Sequence, residues 1–554
     1  METSSENGFW DEMNPQIRRR LLMGSVGSTH LLGTGIRSLE SDSGLGAELL
    51  FAAYAANPLD GNLARSILNL ETAPGFFSGP ALTCLRHVAA AWVRPENLSY
   101  FLRITARRDN DKIRHYIESC LEKEPGNLFW LQQGLIHAGA SSDFRYGLKL
   151  LSMEQHEAVR PAVNAARAFF RLMNTDLQEA ADLLEDVSAV FGETETAQLI
   201  ASCSLKMGDR NAAIRSLAAC VQKQPWRVSE TLRLHDLARG LDSEKRPLPG
   251  RTAILLYSYN KAEELDSTLK SLRNSELYES RIFVLDNGST DETANVMDRW
   301  QQAFGEQMAR IDLPVNIGAA AARNWLMNLL EVRECDFALY LDDDVEVEQD
   351  WLSRFGTAVA AYPDAGVWGC RVVSQSSPAV MQSVDLHIVQ PSGEEGNGPE
   401  VDLTRISPNP FRVSDLHHQT LDAGYFAFMR PCASVTGCCH LFSTRKLLDN
   451  EGFSLFLSPS QYDDMEHDLR SCLKGQFAVY QGHLRILHRK NTGNASHVSV
   501  EQEGNALGNK YKMQAMHPRS EILRIMADEE SLLRSDIEKK TQYLLDAGLI
   551  GSKV

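Results

Sequence analysis

The chain has 554 residues, 43% of them hydrophobic, and a formal net charge of -17. That length admits about two to four domains, each with a core of its own. The acidic balance argues against a nucleic-acid partner, which needs a basic face, and no stretch of about 18 consecutive apolar residues is present to cross a membrane.

The start, Met1-Glu2-Thr3-Ser4-Ser5-Glu6, has no basic region followed by an apolar one, so no signal peptide is expected and the compartment is read as cytoplasmic. Ten cysteines form no Cys-x-x-Cys pair. Cys438-Cys439-His440 is read as buried thiols, because adjacent cysteines chelate one ion poorly. Residues 1–45 are expected to be partly irregular. Their glycines follow no apolar strand and precede no Lys-Ser or Lys-Thr, which excludes a phosphate loop.

Residues 46–240 carry helical spacing. Ile113, Gly147, Ala180 and Ala213 recur at intervals of roughly 33–34 residues. Each is followed four places on by an apolar residue (Ile117, Leu151, Leu184, Leu217) and preceded five places back by a turn-compatible one (Arg108, Ser142, Thr175, Gly208). Helix pairs of this kind cannot bury their apolar faces alone, so they stack into a solenoid with a binding surface. Residues 46–96 fit as atypical capping units. The pattern resembles tetratricopeptide repeats, most closely over residues 207–225 (MGDRNAAIRSLAACVQKQP).

A polar linker, 241–250, with Pro247 and Pro249, precedes an abrupt change. Apolar runs at 253–257, 282–285, 308–313, 337–341 and 367–373 alternate with helical stretches near 260–273, 289–304, 319–330 and 349–361. Strands alternating with such helices predict βαβ units and a mostly parallel, Rossmann-like sheet. Asn260 with Glu263, and Ser289 with Glu292, have capping-box spacing.

Three strands end in polar clusters: Ser258-Tyr259-Asn260, Asp286-Asn287-Gly288-Ser289 and Asp342-Asp343-Asp344. Ligands of open α/β sheets bind outside the carboxyl ends of the strands, so the clusters are expected to converge on a nucleotide site. Asp286 there would accept from a base or ribose, Gly288 would admit close backbone approach, and the carboxylates suit a hard divalent cation. Residues 392–398, rich in glycine and glutamate, read as a lid or acceptor-recognition loop. Helices are expected again over 501–554, packing back on the preceding domain.

The blocks LLYSYNKAEELDSTLKSL, VLDNGSTDET, NIGAAAARN and LYLDDDVEVEQDWL, in this order and spacing, resemble family 2 glycosyltransferases of the GT-A fold. So do Val435-Thr436-Gly437-Cys438-Cys439-His440-Leu441-Phe442, similar to the strand beside that family's acceptor site, and the Asp-Asp-x-Glu of Asp463, Asp464 and Glu466, similar to its Glu-Asp-x-Asp helix start. The resemblance covers roughly residues 250–495, within an expected domain of 251–500. It implies inverting transfer of a sugar from a nucleotide-diphosphate sugar, with a UDP-sugar expected, to a protein, peptide or glycan acceptor. It also implies that Asp286 contacts the base while Ser258, Asn260, Asn287, Asn316, Gly318, Arg323, Asn324 and Asp343 line the donor side. Asp342 and Asp344 take the DxD role and, with His488, hold Mn²⁺ or Mg²⁺; Gly437 and Glu466 face the acceptor. Asp464 or Asp463 is the general base, the choice left open by the altered motif.

The chemistry asks for the same types: one base within reach of the attacking oxygen and a cation on the departing diphosphate. No Gln-x-x-Arg-Trp motif occurs, which argues against a processive polysaccharide synthase. The alternative, a catalytically inactive repeat scaffold or interaction protein, sits poorly with the intact acidic triplet. A nucleotidyltransferase would want a Gly-rich basic loop after the first strand, where Ser258-Tyr259-Asn260-Lys261 stands instead. The repeats suggest that a protein or peptide acceptor is held by the helical half.

Overall fold

A computed structural model describes residues 8–70, 75, 77, 79–390, 411–489 and 500–551. Contacts divide the chain into a helical unit (residues 1–238, 418–425 and 540–554) and an α/β unit (residues 239–417 and 426–539). Residues 392–398, expected to form a lid, lie outside the described residues. No helix among those described is long and apolar enough to cross a membrane.

The helical unit shows why the repeat spacing arises. Arg108, Ser142, Thr175 and Gly208 all adopt positive φ, between 52° and 85°, and each reverses the chain between helices. An Asp follows each of them. Asp109, Asp143 and Asp209 accept from the backbone N–H three residues on and so cap helices Asn110–Lys123, Phe144–Leu151 and Arg210–Lys223. Asp176 instead pairs with Arg171 and Asn174. Ile113, Ala180 and Ala213 are buried, as are Ile117, Leu151, Leu184 and Leu217. Gly147 has no room for a side chain, since a Cβ there would lie 2.2 Å from the Phe170 ring. The first 45 residues carry helices Pro15–Met23 and Ser28–Ser38. Leu544 and Ile550 close the other end, against Ala201, Ala213, Leu217, Val221, Leu234 and Leu237.

Residues 418–425 touch helices Ser28–Ser38, Leu128–Ala140, Glu193–Lys206 and Val228–Arg239. The Gln419 carboxamide accepts from His30 N at 3.1 Å, and Leu421 fills the space that a side chain at Gly139 would need. Ser202 Oγ donates to the Ala423 carbonyl, and the same hydroxyl accepts from Arg233 Nη2 at 2.9 Å.

Among the described residues, the α/β unit carries twelve strands: β1 Thr252–Ser258, β2 Arg281–Asp286, β3 Met308–Asp312, β4 Phe337–Leu341, β5 Val345–Glu346, β6 Val367–Ser374, β7 Met381–Ser383, β8 Ile388–Val389, β9 Arg412–Val413, β10 Met429–Cys432, β11 Cys439–Ser443 and β12 Ala478–His488. The main sheet runs β10-β12-β6-β11-β4-β1-β2-β3. β3, β2, β1 and β4 are parallel neighbours, β12 runs parallel to β6, and β11 is antiparallel to both β4 and β6. The apolar runs are continuous because both sheet faces are covered. Ile254, Leu256, Ile282, Val284, Leu339 and Leu341 pack on helices Ala262–Arg273, Thr293–Phe304 and Trp351–Ala361. The intervening Leu255, Phe283, Leu285 and Tyr340 are equally buried. The first part of the C-terminal helices packs in this unit: Met513, Ile522, Ile525 and Met526 join Leu457, Met465, Leu469 and Phe477.

Candidate functional site

Pairing of Ser258 with Asp286 and of Leu255 with Tyr340 brings the carboxyl ends of β1, β2 and β4 to one edge. Cys439 pairs with Leu341 in the antiparallel sense, so residues 436–438, just ahead of β11, lie beside the triplet that follows β4. Together with residues 459–464 and His488 they enclose a cleft of about 490 Å³.

The three carboxylates do different things. Asp343 turns inward, accepting from Ser258 Oγ at 2.6 Å and from Lys261 Nζ at 2.8 Å, and burial pushes its carboxyl up to about 6. Asp344 accepts from Lys261 Nζ at 3.0 Å and lies 3.1 Å from His488 Nε2. Burial works against its charge, but His488 and Lys261 outweigh it and hold the carboxyl well below the usual range. Asp342 is the triplet's open member, its side chain 27% exposed against 7% and 4% for Asp343 and Asp344. Burial and then Asp344 raise its pKa. Beneath the turn, Thr268 Oγ1 donates to the carbonyls of Asp343 and Val345 and accepts from Val345 N at 3.1 Å.

Asp342, Cys438 and His488 each present one ligand atom, all within 4.8 Å of one another, and Asp344 borders them. His488 Nδ1 lies 2.6 Å from Gln382 Oε1. When a cation is bound, a proton on Nδ1 donated to Gln382 would leave the Nε2 lone pair to face the ion beside Asp344. A lone pair and a carboxylate facing each other are what a divalent ion bridges, so these residues fit Mn²⁺ or Mg²⁺.

Across the cleft, helix Asp463–Leu473 begins directly after Gln461 and Tyr462, both at positive φ (79° and 69°), a strained approach of the kind that functional turns retain. Consecutive helical positions point about 100° apart, which separates its two leading carboxylates. Asp463 is buried and takes Arg323 Nη1 at 2.9 Å; burial raises its pKa, with Arg323 opposing. Asp464 lines the cleft, half-buried, with Oδ2 accepting from Gly437 N at 2.7 Å. A Cβ on Gly437 would stand 2.6 Å from that oxygen and 2.8 Å from Arg323 Nη2, so a side chain there would displace one of them. Arg323 also comes within 3.9 Å of Asp342 and lies over the rings of Tyr257, Tyr340 and Phe453.

Residues 253–430 match the family described as Glycosyl transferase family 2. Apart from residues 418–425, the matched stretch lies within the α/β unit, and it covers about a third of the chain. Two Staphylococcus epidermidis proteins are similar to part of it. A teichoic acid poly(glycerol phosphate) polymerase is 29% identical over 97 residues, 18% of this chain and 13% of its own. A poly-beta-1,6-N-acetyl-D-glucosamine synthase is 29% identical over 108 residues, 20% of this chain and 25% of its own. The chain thus spans a quarter or less of these curated relatives. Among solved structures, a mannosyltransferase from Pyrobaculum calidifontis with GDP-Man and Mn²⁺ is similar at 15% identity and TM-score 0.36, over 61% of this chain and 88% of that one. S. aureus TarS is similar at 14% identity and TM-score 0.29, over 42% and 35%.

Within the α/β unit the cleft gathers Asn287, Asn316, Gly318, Arg323, Asp342, Asp343, Asp344, Gly437, Asp463, Asp464 and His488. Other expected residues sit behind it. Ser258 is buried under Asp343. Asp286 accepts from Ser289 N at 2.8 Å and does not line the cleft. Asn260, at φ 53°, accepts from Thr290 N at 2.7 Å and its own N–H donates to Ser289 Oγ at 3.0 Å, joining the first two loops rather than capping a helix. The cap belongs to Asp291, which accepts from Ala262 N and Thr293 N. Gly288 meets the backbone of Val315 and Asn316, where a Cβ would come within 2.6 Å, so the chain itself makes the close approach foreseen for a ligand. Asn324 exchanges hydrogen bonds with Phe453. Glu466 is buried in a two-pronged pair with Arg470, at 2.7 and 2.9 Å, and does not line the cleft. Lys261, Tyr257, Tyr259 and Cys438 line the cleft unforeseen. Lys261 had a signal, being the one cation of the first strand-end cluster.

Proposed function

We propose that the glycosyltransferase domain moves a sugar, with inversion, from a nucleotide-diphosphate sugar to an acceptor hydroxyl, and that Asp464 is the base. The observation that carries this reading is the division of labour at the helix start. Asp463 is locked by Arg323, whereas Asp464 faces the cleft opposite the acidic triplet. Asp464 takes the acceptor's proton as its oxygen bonds the anomeric carbon and the bond to the diphosphate breaks. A cation held by Asp342, Asp344 and His488 would neutralise charge on that leaving group. Arg323 fixes Asp463 and carries positive charge to the same wall. Asn287 and Asn316, hydrogen bonded to each other at 3.0 Å, shape the nucleotide end.

The helical unit supports a narrower version of acceptor capture. Residues 418–425 already cover part of helices Leu128–Ala140 and Glu193–Lys206, so a protein or peptide acceptor would meet the helical unit on surface they leave open. The test is hydrolysis of a panel of nucleotide sugars, read as released nucleoside diphosphate, for wild type, D464N and D463N. The reading expects D464N to lose turnover while still binding nucleotide. A fully active D464N would overturn it.

A further inference from the structure

We propose that Cys438 makes the cation site a mixed oxygen, nitrogen and sulfur centre that holds soft divalent ions such as Cd²⁺ or Zn²⁺ more tightly than Mn²⁺ or Mg²⁺. The inference deepens the metal-dependent reading above and rests on it for the ion's ordinary role.

Three observations place the sulfur there. Asp342 N donates to the Cys438 carbonyl at 2.9 Å, which ties the end of β4 to the approach of β11 and sets the thiol against the Asp342 carboxylate. Cys438, Asp342 and His488 present ligand atoms within 4.8 Å of one another. The thiol's hydrogen-bond partner among the described residues is the Thr436 hydroxyl, at a long 3.7 Å, so little holds it elsewhere. Adjacent cysteines do not chelate together because neighbouring strand residues face opposite ways. Cys439 goes into the apolar core with Cys370 and Leu441, while Cys438 lines the cleft.

Carboxylates and one imidazole suit Mn²⁺ and Mg²⁺, whereas a thiolate favours softer ions. On binding such an ion the sulfur gives its proton to solvent and donates a lone pair. Asp342, His488 and Cys438 would then supply three ligands of the four that Zn²⁺ prefers, leaving little coordination for a donor diphosphate. Zn²⁺ and Cd²⁺ would therefore displace Mn²⁺ and block nucleotide binding.

The test titrates the full chain with Cd²⁺ and follows the ultraviolet sulfur-to-cadmium charge-transfer band in wild type, C438A and C438S, with Mn²⁺ binding measured by electron paramagnetic resonance. Circular dichroism checks that the variants fold. The wild-type minus C438A difference removes the other nine cysteines. The proposal expects a saturable difference band of one site per chain. It also expects Cd²⁺ affinity to fall about tenfold or more in both variants, with Mn²⁺ affinity changed less than about threefold. An absent difference band, or equal losses for Cd²⁺ and Mn²⁺, overturns it. Because the band needs no turnover, a site that binds Cd²⁺ through Cys438 in a chain hydrolysing no nucleotide sugar would sink the transferase reading and leave this one standing.

Discussion

Replacing Gly437 by Ala tests how the base is held. The added Cβ would lie 2.6 Å from Asp464 Oδ2 and 2.8 Å from Arg323 Nη2, both far inside van der Waals contact. Arg323 is boxed in by Tyr257, Tyr340 and Phe453, so Asp464 is the group that must yield. Its 2.7 Å bond from Gly437 N is then lost. A hydrogen bond to a charged group contributes roughly 1.5–3 kcal/mol, and each 1.36 kcal/mol is tenfold in rate. If that bond fixes the base for proton transfer, kcat falls about 10- to 150-fold. The nucleotide end, built from Asn287 and Asn316, is untouched. Initial rates of nucleoside diphosphate release, alongside calorimetric binding of the same diphosphate, read the two effects apart. A folded G437A with kcat within about twofold of wild type would refute the role given to that bond, as would equal loss of binding and rate.

R323M strips the partner from buried Asp463 and is expected to destabilise the domain by about 3–5 kcal/mol, the range for breaking a buried pair; chemical denaturation measures it, and a cost near zero would show that Asp463 is neutralised by other means. Asp468 accepts from Ser434 Oγ at 2.7 Å and Val435 N at 3.2 Å, one helical turn from the Asp464–Gly437 bond, so D468A should speed hydrogen exchange at Val435 and Gly437, and unchanged protection contradicts this. His387 lies buried between Asp385 and Glu529, at 2.9 and 3.0 Å. Burial lowers its pKa, but those two carboxylates outweigh burial and raise it. The stabilisation is therefore fully present below the ordinary imidazole pKa of about 6.5 and is lost as pH rises through the higher folded value. Denaturation at a series of pH values should show that decline in wild type and a flatter curve in H387Q; identical slopes would discard the explanation.

The sheet was legible because its strands are buried on both faces and so appear as unbroken apolar runs. The repeat register was legible because left-handed turn residues recur between helices, and the Asp that follows each one was an overlooked second mark. The acidic triplet and the Asp463-Asp464 pair stood out as rare concentrations of charge. What sequence could not show was direction. Asp286, Asn260, Gly288 and Glu466 have the right types at the right strand and helix ends, yet each turns toward neighbouring chain. Only long-range pairing tells that Lys261 reaches residues more than eighty positions away. The same holds for Cys438, whose apposition to Asp342 depends on an antiparallel strand inserted between β4 and β6.

The most direct test of the central claim is calorimetric binding of UDP, GDP, CDP, ADP and TDP, with and without Mn²⁺, to wild type and to D344A. The account predicts Mn²⁺-dependent binding of one diphosphate, one per chain, abolished by the substitution. Binding of none of them, or binding indifferent to both Mn²⁺ and Asp344, would contradict a nucleotide-sugar site at the end of β4.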